Sequence, residues 1–214
     1  MGAAGFISAL RSLSLPNTFN PYADCCPIHD KKDAAVKRIR ALSHMFDAAS
    51  ACEIDSLWIG RDLGYRGGRR TGLALTDDVH IEAHANRWGF ALERPTIGNP
   101  LAERTAAVIW TALSRIGSPI FLWNVFPLHP HEPGEPFTNR SHNARERSIG
   151  EEILSEVLSL LRPKRLVGIG NDATKSLLRT ASGRQVMQVR HPSYGGQNDF
   201  LKQVSVLYTE TISL

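Results

Sequence analysis

Residues 56–76 read SLWIGRDLGYRGGRRTGLALT, and this segment combines two structural signals. Its first five residues are a short apolar run that ends in glycine, which is typical of a buried β-strand. The residues after it, 61–76, are rich in glycine and arginine, which predicts a loop. A buried strand followed by a polar, glycine-rich loop indicates an α/β protein that binds its ligand beyond the carboxyl end of that strand.

The rest of the chain repeats this arrangement of elements. Further apolar strands are predicted at 119–125, 165–170 and 185–190, and helices at about 31–51, 77–88, 101–117, 146–161, 172–181 and the C terminus. Asp77 and Asp78 are expected to begin the second of these helices, and Asn171 is expected to cap the helix that follows the third strand. Strands that alternate with helices predict a three-layer α/β/α fold with a central four-stranded parallel sheet.

The 214 residues suffice for one compact α/β domain but not for two, so residues 1–214 are predicted to form a single domain. Residues 1–20 are expected to form a short amphipathic or loosely packed segment. No run approaches the roughly 18 apolar residues that a membrane helix requires, and a basic secretory n-region is absent. We expect a cytoplasmic protein with no membrane partner, and a monomer.

Composition narrows the class of protein only a little. Hydrophobic residues make up 42% of the chain and charged residues 21%, so a folded domain is expected rather than a disordered chain. The formal net charge of +4 suits an anionic partner but does not identify one. Cys25, Cys26 and Cys52 are too few for a disulfide framework, which indicates a reducing compartment.

The histidines of the loop after the second strand invite a metal-site hypothesis. His129 and His131 are separated by a proline, and His142 follows eleven residues later. No cysteine lies near them, and the spacing is poor for zinc. We therefore predict no metal site.

Three functional side chains follow three of the predicted strands. Asp62 comes after the first strand, Asn124 lies at the end of the second, and His191 follows the fourth. The carboxyl ends of parallel strands meet at one edge of a sheet, so a carboxylate, a carboxamide and an imidazole are expected in one cleft.

These segments resemble the motifs of the uracil-DNA glycosylase superfamily. GRDLGYRGGRRTGLALT (60–76) is similar to its first motif, and HPS (191–193) to its second. FLWNVFP (121–127) resembles the strand that presents the base-reading asparagine. The motifs occur in the family's order from about residue 20 onward. The resemblance implies a monofunctional DNA glycosylase that hydrolyses the N-glycosidic bond of uracil in DNA and leaves an abasic site.

The resemblance also implies roles for the three strand-end residues. Breaking the bond creates a cationic sugar and an anionic base. Asp62 is expected to stabilise the sugar cation and to orient or deprotonate the attacking water. His191, as a neutral imidazole, is expected to donate a hydrogen bond to uracil O2. Asn124 is expected to read O4 and N3–H of uracil and to mismatch cytosine.

The remaining binding residues are also placed by resemblance. Uracil contacts are expected from Gly60, Arg61, Gly64, Tyr65 and Leu75. The expected partner is uracil-containing DNA, and its contacts are assigned to Arg66, Arg69, Arg70, Ser193, Tyr194 and Gln197. The arginines are interpreted as phosphate clamps and Ser193 as a contact to a flanking phosphate. Either Tyr194 or Gln197 is expected to fill the stack that the base leaves.

The sequence departs from the family pattern in four ways. Leu63 replaces a proline, and Leu75 stands where an aromatic residue often stacks on the base, so Tyr65 is a candidate for that stacking. Three cysteines are too few for the iron–sulfur cluster of one branch, and no cofactor is expected. Gly64 replaces the tyrosine that blocks C5 in the most uracil-specific branch. A methyl-sized space is expected there unless Tyr65 or Arg66 fills it, which favours excision of 5-substituted uracils.

Other functions stay open on the sequence. One is a superfamily relative that excises hypoxanthine or a 5-substituted uracil. Another is a protein that binds uracil or abasic sites in DNA without turnover, although such a protein has no need of a carboxylate such as Asp62. A third is a flavodoxin-like nucleotide-binding domain, but the glycine-rich loop lacks both common nucleotide-binding patterns.

Overall fold

The computed structural model of the chain describes residues 2–209. The helices in this range are α1 (Ala3–Ser12), α2 (Ala34–Ser50), α3 (Gly68–Thr71), α4 (Ile81–Arg87), α5 (Arg104–Leu113), α6 (Ala144–Leu161), α7 (Asn171–Thr180) and α8 (Gln197–Thr209). The strands are β1 (Thr18–Phe19), β2 (Ser56–Asp62), β3 (Ile120–Phe126), β4 (His129–Pro130), β5 (Arg165–Ile169) and β6 (Val186–Val189). None of these helices has the length and apolar character to cross a membrane.

Four of the strands form a parallel sheet in the order β3-β2-β5-β6. Strand β2 lies inside this sheet, with Gly60 opposite Asn124 of β3 and Ile59 opposite Gly168 of β5. Helices form the connections between these parallel strands, as parallel pairing requires. The predicted three-layer α/β/α fold with a four-stranded parallel sheet is confirmed.

Helices cover both faces of the sheet. Because alternate residues of each strand point to opposite faces, the side chains on both sides of a strand are buried. Leu57 and Ile59 of β2 pack with Phe121 of β3 in a cluster that includes residues of α1, α2, α6 and α7. Trp58 points to the other face and packs with residues of α5 and α8. Its indole Nε1 donates a hydrogen bond of 2.7 Å to the hydroxyl of Tyr208. Burial on two sides explains why these strands are continuous apolar runs.

The N-terminal segment forms part of the core. Phe6 of α1 is only 3% exposed, and its ring centroid lies 5.1 Å from that of Phe46 and 5.9 Å from that of Trp123. The end of α1 is held by Asn20, whose Nδ2 donates to the carbonyl oxygen of Leu10 at 2.9 Å. The amphipathic expectation is therefore correct, and the expectation of loose packing is wrong.

Helix α4 begins later than the sequence predicts. It starts at Ile81 and is preceded by a turn, in which Asp77 Oδ1 accepts from the backbone N–H groups of Val79 and His80 at 3.1 and 2.9 Å. An Asp77 oxygen accepts from the backbone N–H of Glu103 at 2.6 Å. Asp78 forms a buried ion pair with Arg70 at 2.7 Å. Both aspartates thus fix the loop that follows β2, and neither begins the helix.

Replacing Phe6 by alanine should lower the free energy of unfolding by about 3–5 kcal/mol, because a buried aromatic side chain is lost from the core. That loss corresponds to a fall of roughly 6–20 °C in Tm for a chain of this length. Thermal and urea denaturation followed by circular dichroism measure both quantities. The control is Ser8→Ala, at an exposed position on the same helix, which should change stability by less than about 0.5 kcal/mol. Equal stability of the two variants would show that α1 does not contribute to the core.

Candidate active site

A cleft of about 790 Å³ opens at the carboxyl ends of the parallel strands. Asp62 from the end of β2, Asn124 from β3 and His191 from the loop after β6 all line it. Ile169, the last residue of β5, and the following residues 170–173 line it as well. The structure therefore brings together the three side chains that the sequence analysis placed in one cleft.

Asp62 is the last residue of β2, and its side chain is 7% exposed. Its Oδ2 accepts a hydrogen bond from Nε of Arg61 at 2.7 Å, and its Oδ1 lies 2.5 Å from Nδ1 of His142. Arg61 is also paired with Asp172 at 3.2 Å, which fixes the guanidinium between two carboxylates. Each oxygen of Asp62 thus has its own donor, and the carboxylate is held in one orientation.

The role of His142 beside Asp62 was not predicted from the sequence, where this histidine was considered only as a metal ligand. His142 lies directly before α6, whose first turn is fixed by a capping box. Asn143 Oδ1 accepts from the backbone N–H of Glu146 at 3.0 Å, and the Glu146 carboxylate accepts from that of Asn143 at 2.7 Å. The pattern N-x-x-E at 143–146 is visible in the sequence and predicts this helix start. It would have placed His142 at the edge of the sheet where Asp62 lies.

Asn124 is 1% exposed and lies at the back of the cleft. Its Nδ2 donates to the carbonyl oxygen of Asp62 at 3.1 Å, while its buried Oδ1 has no partner within residues 2–209. A Cβ atom on Gly60 would lie 2.7 Å from Nδ2 and 2.9 Å from Cδ2 of Leu75. Glycine at position 60 is therefore needed for these two side chains to lie against β2. The Asn124 amide keeps one acceptor, Oδ1, without a partner among the described residues.

His191 follows β6 by two residues, and its ring tautomer is determined by Ser193. The backbone N–H of Ser193 donates to Nδ1 of His191 at 3.2 Å, and the Ser193 hydroxyl lies 2.7 Å from the same nitrogen. Because a backbone N–H can only donate, Nδ1 is an acceptor and the neutral ring carries its proton on Nε2. Burial, followed by the charges of Arg61 and Arg190, lowers the pKa of His191. The residue is therefore a neutral N–H donor at neutral pH.

Gly170 allows the His191 loop to pack against the start of α7. Its φ of +84° lies in the left-handed region, and a Cβ there would lie 3.1 Å from Cβ of His191. Gly170 also occupies the N-cap position of α7, so the prediction that Asn171 caps this helix is wrong. Asn171 is the first helical residue, and its Oδ1 accepts from Nε2 of Gln188 at 2.6 Å.

Leu75 contributes to the apolar wall of the cleft, together with Leu63 and Ile169, and Tyr65 does not. Leu75 lines the cleft, and its carbonyl oxygen accepts from Nε1 of Trp110 at 3.2 Å. The Tyr65 hydroxyl accepts from Nε of Arg66 at 2.8 Å, and the guanidinium of Arg66 lies 5.5 Å from the ring centroid. The expectation that Tyr65 stacks on the base is not supported by this placement, because its ring is engaged with Arg66.

The space expected beside Gly64 is filled. A Cβ atom on Gly64 would lie 2.6 Å from Oε1 of Glu103, the residue before α5. Neither Tyr65 nor Arg66 supplies this filling group, which comes from a distant part of the chain. The expectation of an empty methyl-sized space at Gly64 is therefore wrong.

The three arginines of the glycine-rich loop do not form one surface cluster. Arg66 is exposed, but Arg69 and Arg70 are only 3% and 4% exposed. The guanidinium of Arg69 lies 4.0 Å from the ring centroid of Phe19, and Arg70 is paired with Asp78. The expectation that Arg69 and Arg70 bind phosphates is therefore wrong, because both side chains are buried and contact other residues of the fold.

Residues 53–208 match the family model described as the uracil DNA glycosylase superfamily. The chain belongs to the uracil-DNA glycosylase superfamily. It is therefore a DNA glycosylase by family, a hydrolase of DNA repair, and the resemblance stated from the motifs is confirmed.

The comparison with solved structures agrees with this family. The crystal structure of the wild-type SMUG2 protein from Pedobacter heparinus is similar, with a TM-score of 0.67 over 99% of this chain and 98% of that chain. The two sequences are 16% identical, so the likeness shows a shared fold. No curated protein matches the sequence.

The loop after His191 contributes Ser193, Tyr194 and Gly195 to the lining of the cleft. Tyr194 lines the cleft and is 97% exposed, and its φ of +51° is a strained value for a residue with a side chain. Gln197 is exposed at the start of α8 and does not line the cleft. The hydroxyl of Ser193 contacts His191, so its interaction is within the loop.

The histidines of the loop after β3 contact three different groups of the glycosylase. His129 Nδ1 lies 2.8 Å from the carbonyl oxygen of Leu63, and His131 Nδ1 lies 2.9 Å from that of Glu132. His142 contacts Asp62, as described above. Within residues 2–209 there is no group of three metal-ligating side chains.

Nitrogen-detected NMR of the histidine rings should show His191 as the Nε2–H tautomer, with a pKa below the ordinary value. In Arg61→Gln this pKa should rise part of the way back, because one cation is removed while burial, the larger cause, remains. Arg115→Gln is the matched control, since it removes the same charge from an exposed residue outside the cleft. An Nδ1–H tautomer, or an ordinary pKa in the wild type, would contradict this description of the site.

Proposed function

We propose that this glycosylase removes uracil from DNA by hydrolysis, without a lyase step, and leaves an abasic site. The observation that carries the proposal is the fixed orientation of the Asn124 amide. Its Nδ2 is bonded to the carbonyl oxygen of Asp62, which leaves Oδ1 as an unpaired buried acceptor. An unpaired buried acceptor favours a base that offers a donor at that position.

Uracil fits this orientation and cytosine does not. Uracil presents its N3–H donor beside the O4 acceptor, so Oδ1 of Asn124 accepts from N3–H and the second Nδ2 hydrogen is available to O4. Cytosine presents an acceptor at N3 and a donor amino group at C4. Two acceptors would then face each other in a buried site, and a mismatch of this kind is strongly rejected.

Asp62 and His191 supply the charges that the reaction requires. Cleavage of the bond between N1 and C1′ leaves the electron pair on uracil and positive charge on the sugar. Asp62, held by Arg61 and His142, is preorganised to stabilise the sugar cation and to take a proton from the attacking water. His191 Nε2–H is available to donate to O2, where negative charge develops.

The absence of an amine nucleophile in the cleft supports simple hydrolysis. A glycosylase with lyase activity forms a Schiff base between a side-chain amine and C1′. Among the described residues that line the cleft there is no lysine. Water is therefore the proposed nucleophile, and its oxygen forms the new bond to C1′.

The placement of exposed residues suggests how DNA is held. A base must leave the stack to reach a site of this depth, and unstacking costs a few kcal/mol. Tyr194 stands at the mouth of the cleft and is proposed, in preference to Gln197, to fill the vacated stack. Leu75 supplies an apolar surface for the extruded base, and Arg66 is exposed for a phosphate contact.

An alkali-cleavage assay tests the proposal directly. The protein is incubated with oligonucleotides that carry uracil, cytosine or hypoxanthine at one position, and abasic sites are revealed by strand cleavage in alkali. We expect cleavage at uracil and none at cytosine. Hypoxanthine shares the carbonyl and N–H pattern of uracil, so cleavage at hypoxanthine alone would overturn uracil as the substrate. Binding of uracil DNA without cleavage at excess protein would indicate a non-catalytic binder instead.

Asp62→Asn should lower the single-turnover rate on uracil DNA by about a hundredfold or more, because a general base and a fixed negative charge are both lost. Affinity for the same DNA should change little, since that charge acts mainly in the transition state. The control is Asp47→Asn, which changes an exposed aspartate of α2 outside the cleft. Activity of Asp62→Asn within about threefold of the wild type would show that Asp62 is not the catalytic carboxylate.

Asn124→Asp should weaken the rejection of cytosine. A protonated carboxyl at this position can donate to N3 of cytosine and accept from its amino group, which the fixed amide does not do. The ratio of single-turnover rates on cytosine and uracil should rise, from a starting discrimination of about 10⁴-fold or more. Asn86→Asp, at an exposed position, provides the control. If uracil excision is unchanged in Asn124→Ala, this residue does not read the base.

A further inference from the structure

The wall of the cleft beyond Asp62 contains a carboxyl group that the proposed reaction does not use. Glu103 lies at the N-cap position of α5, and its carboxylate is packed against two glycines of the loop after β2. A Cβ atom on Gly64 would lie 2.6 Å from Oε1, and one on Gly67 would contact Oε2. The two glycines thus leave the room that one carboxyl group occupies.

This carboxyl group has no hydrogen-bonding or ion-pairing partner within residues 2–209. The backbone N–H of Glu103 is bonded to Asp77, which fixes the position of the residue. Its carboxylate makes no hydrogen bond or ion pair with any described residue of the chain, although it is partly buried. Because the carboxyl lines the cleft and is partly desolvated, a ligand there can supply the hydrogen bond that the described residues do not.

The chemistry of the pyrimidine ring indicates which edge of the base Glu103 meets. In the proposed function Asp62 faces the sugar on N1, His191 faces O2, and Asn124 faces N3 and O4. The edge that remains is C5–C6, which runs from the Asn124 side of the ring back to the Asp62 side. Gly64 lies two residues beyond Asp62, and the group that covers Gly64 is the carboxyl of Glu103.

We propose that Glu103 is a specificity-determining residue that contacts the C5 edge of the extruded base and favours a hydrogen-bonding substituent there over a methyl group. This inference rests on the proposed function, because that function sets the orientation of the base. A methyl group at C5 would cover the carboxyl and give it no partner. A hydroxymethyl group both donates and accepts, and the flexible end of the side chain can shift to meet it.

The protonation state of Glu103 leads to a second measurable effect, a dependence of base recognition on pH. Burial, together with the negative charge of Asp77, raises the pKa of Glu103 to about 7, while Arg66 acts in the opposite direction. Asp62 and Arg104 also line this cleft. Below that pKa the carboxyl donates a hydrogen bond, and above it the carboxylate only accepts. A formyl substituent only accepts, so its recognition should weaken as pH rises through about 7, whereas that of a hydroxymethyl group should not.

The test measures single-turnover excision from oligonucleotides that carry uracil, thymine, 5-hydroxymethyluracil or 5-formyluracil. Each rate is divided by the uracil rate of the same protein, which removes general losses of activity. The variants are Glu103→Gln, which keeps the shape but does not titrate, and Glu103→Ala, which removes the group. Glu156→Gln, an exposed glutamate of α6 outside the cleft, is the matched control.

For the wild type we expect 5-hydroxymethyluracil to be excised at least about tenfold faster than thymine. A difference of this size is expected because the hydroxymethyl group gives the Glu103 carboxyl a hydrogen-bonding partner and the methyl group of thymine does not. In Glu103→Ala this difference should shrink to within about threefold. The wild-type ratio for 5-formyluracil should fall several-fold between about pH 6 and about pH 8. In Glu103→Gln the same ratio should stay constant over this pH range. A pH effect that comes from the leaving-group chemistry of the bases acts equally in both proteins, so comparing the variant with the wild type separates it from the effect of Glu103.

Two results would overturn the inference while leaving the proposed function intact. One is rejection of every 5-substituted base by a wild-type protein that excises uracil. The other is a set of substituent ratios that is the same in Glu103→Gln, Glu103→Ala and the wild type. A wild-type protein that excises no uracil would instead overturn the proposed function, and with it the base orientation on which Glu103 depends.

Discussion

The hydrogen bond from Nδ2 of Asn124 to the carbonyl oxygen of Asp62 connects the two strands on which the site is built. It exists because β2 and β3 are parallel and in a register that places Gly60 opposite Asn124. The bond sets the direction of the amide, and with it the base edge that the proposed function assigns to Asn124. It also ties that amide to the backbone of the residue whose carboxylate is proposed to face the sugar. In that proposal, recognition and chemistry share one rigid unit at the carboxyl ends of two neighbouring strands.

The central elements of the fold and site were predictable because their signals are local. Strands buried on both faces must be apolar at every position, so β2 and β3 stand out in the sequence. A polar residue at the end of such a strand lies at the edge where ligands bind, which placed Asp62 and Asn124 together. His191 was placed by the same rule after β6. Its tautomer was not predictable, because that depends on the loop conformation at Ser193.

The parts that the sequence did not reveal depend on contacts between distant residues. An arginine in a glycine-rich loop looks the same in the sequence whether it is solvated or buried, and the positions of Phe19 and Phe137 show that Arg69 is inside. Gly64 predicts a space, but Glu103 enters that space from another element. The pairing of His142 with Asp62 likewise joins residues eighty positions apart. A local pattern can place one such residue on an element, as N-x-x-E does for His142, but it does not identify the partner, because tertiary packing brings the two together.

The hydrogen bonds of Tyr208 have a consequence for the biogenesis of the protein. Its hydroxyl, on α8, accepts from Nε1 of Trp58 and donates to Oγ of Ser56, both on the strand that ends at Asp62. Helix α8 is also the last element described to pack on that face of the sheet. A nascent chain on the ribosome therefore exposes Trp58 until nearly all of these residues have emerged. During vectorial synthesis α5 can cover part of this apolar face early, but the part that packs against α8 stays open until α8 has been made, which is the interval when a chaperone would bind it.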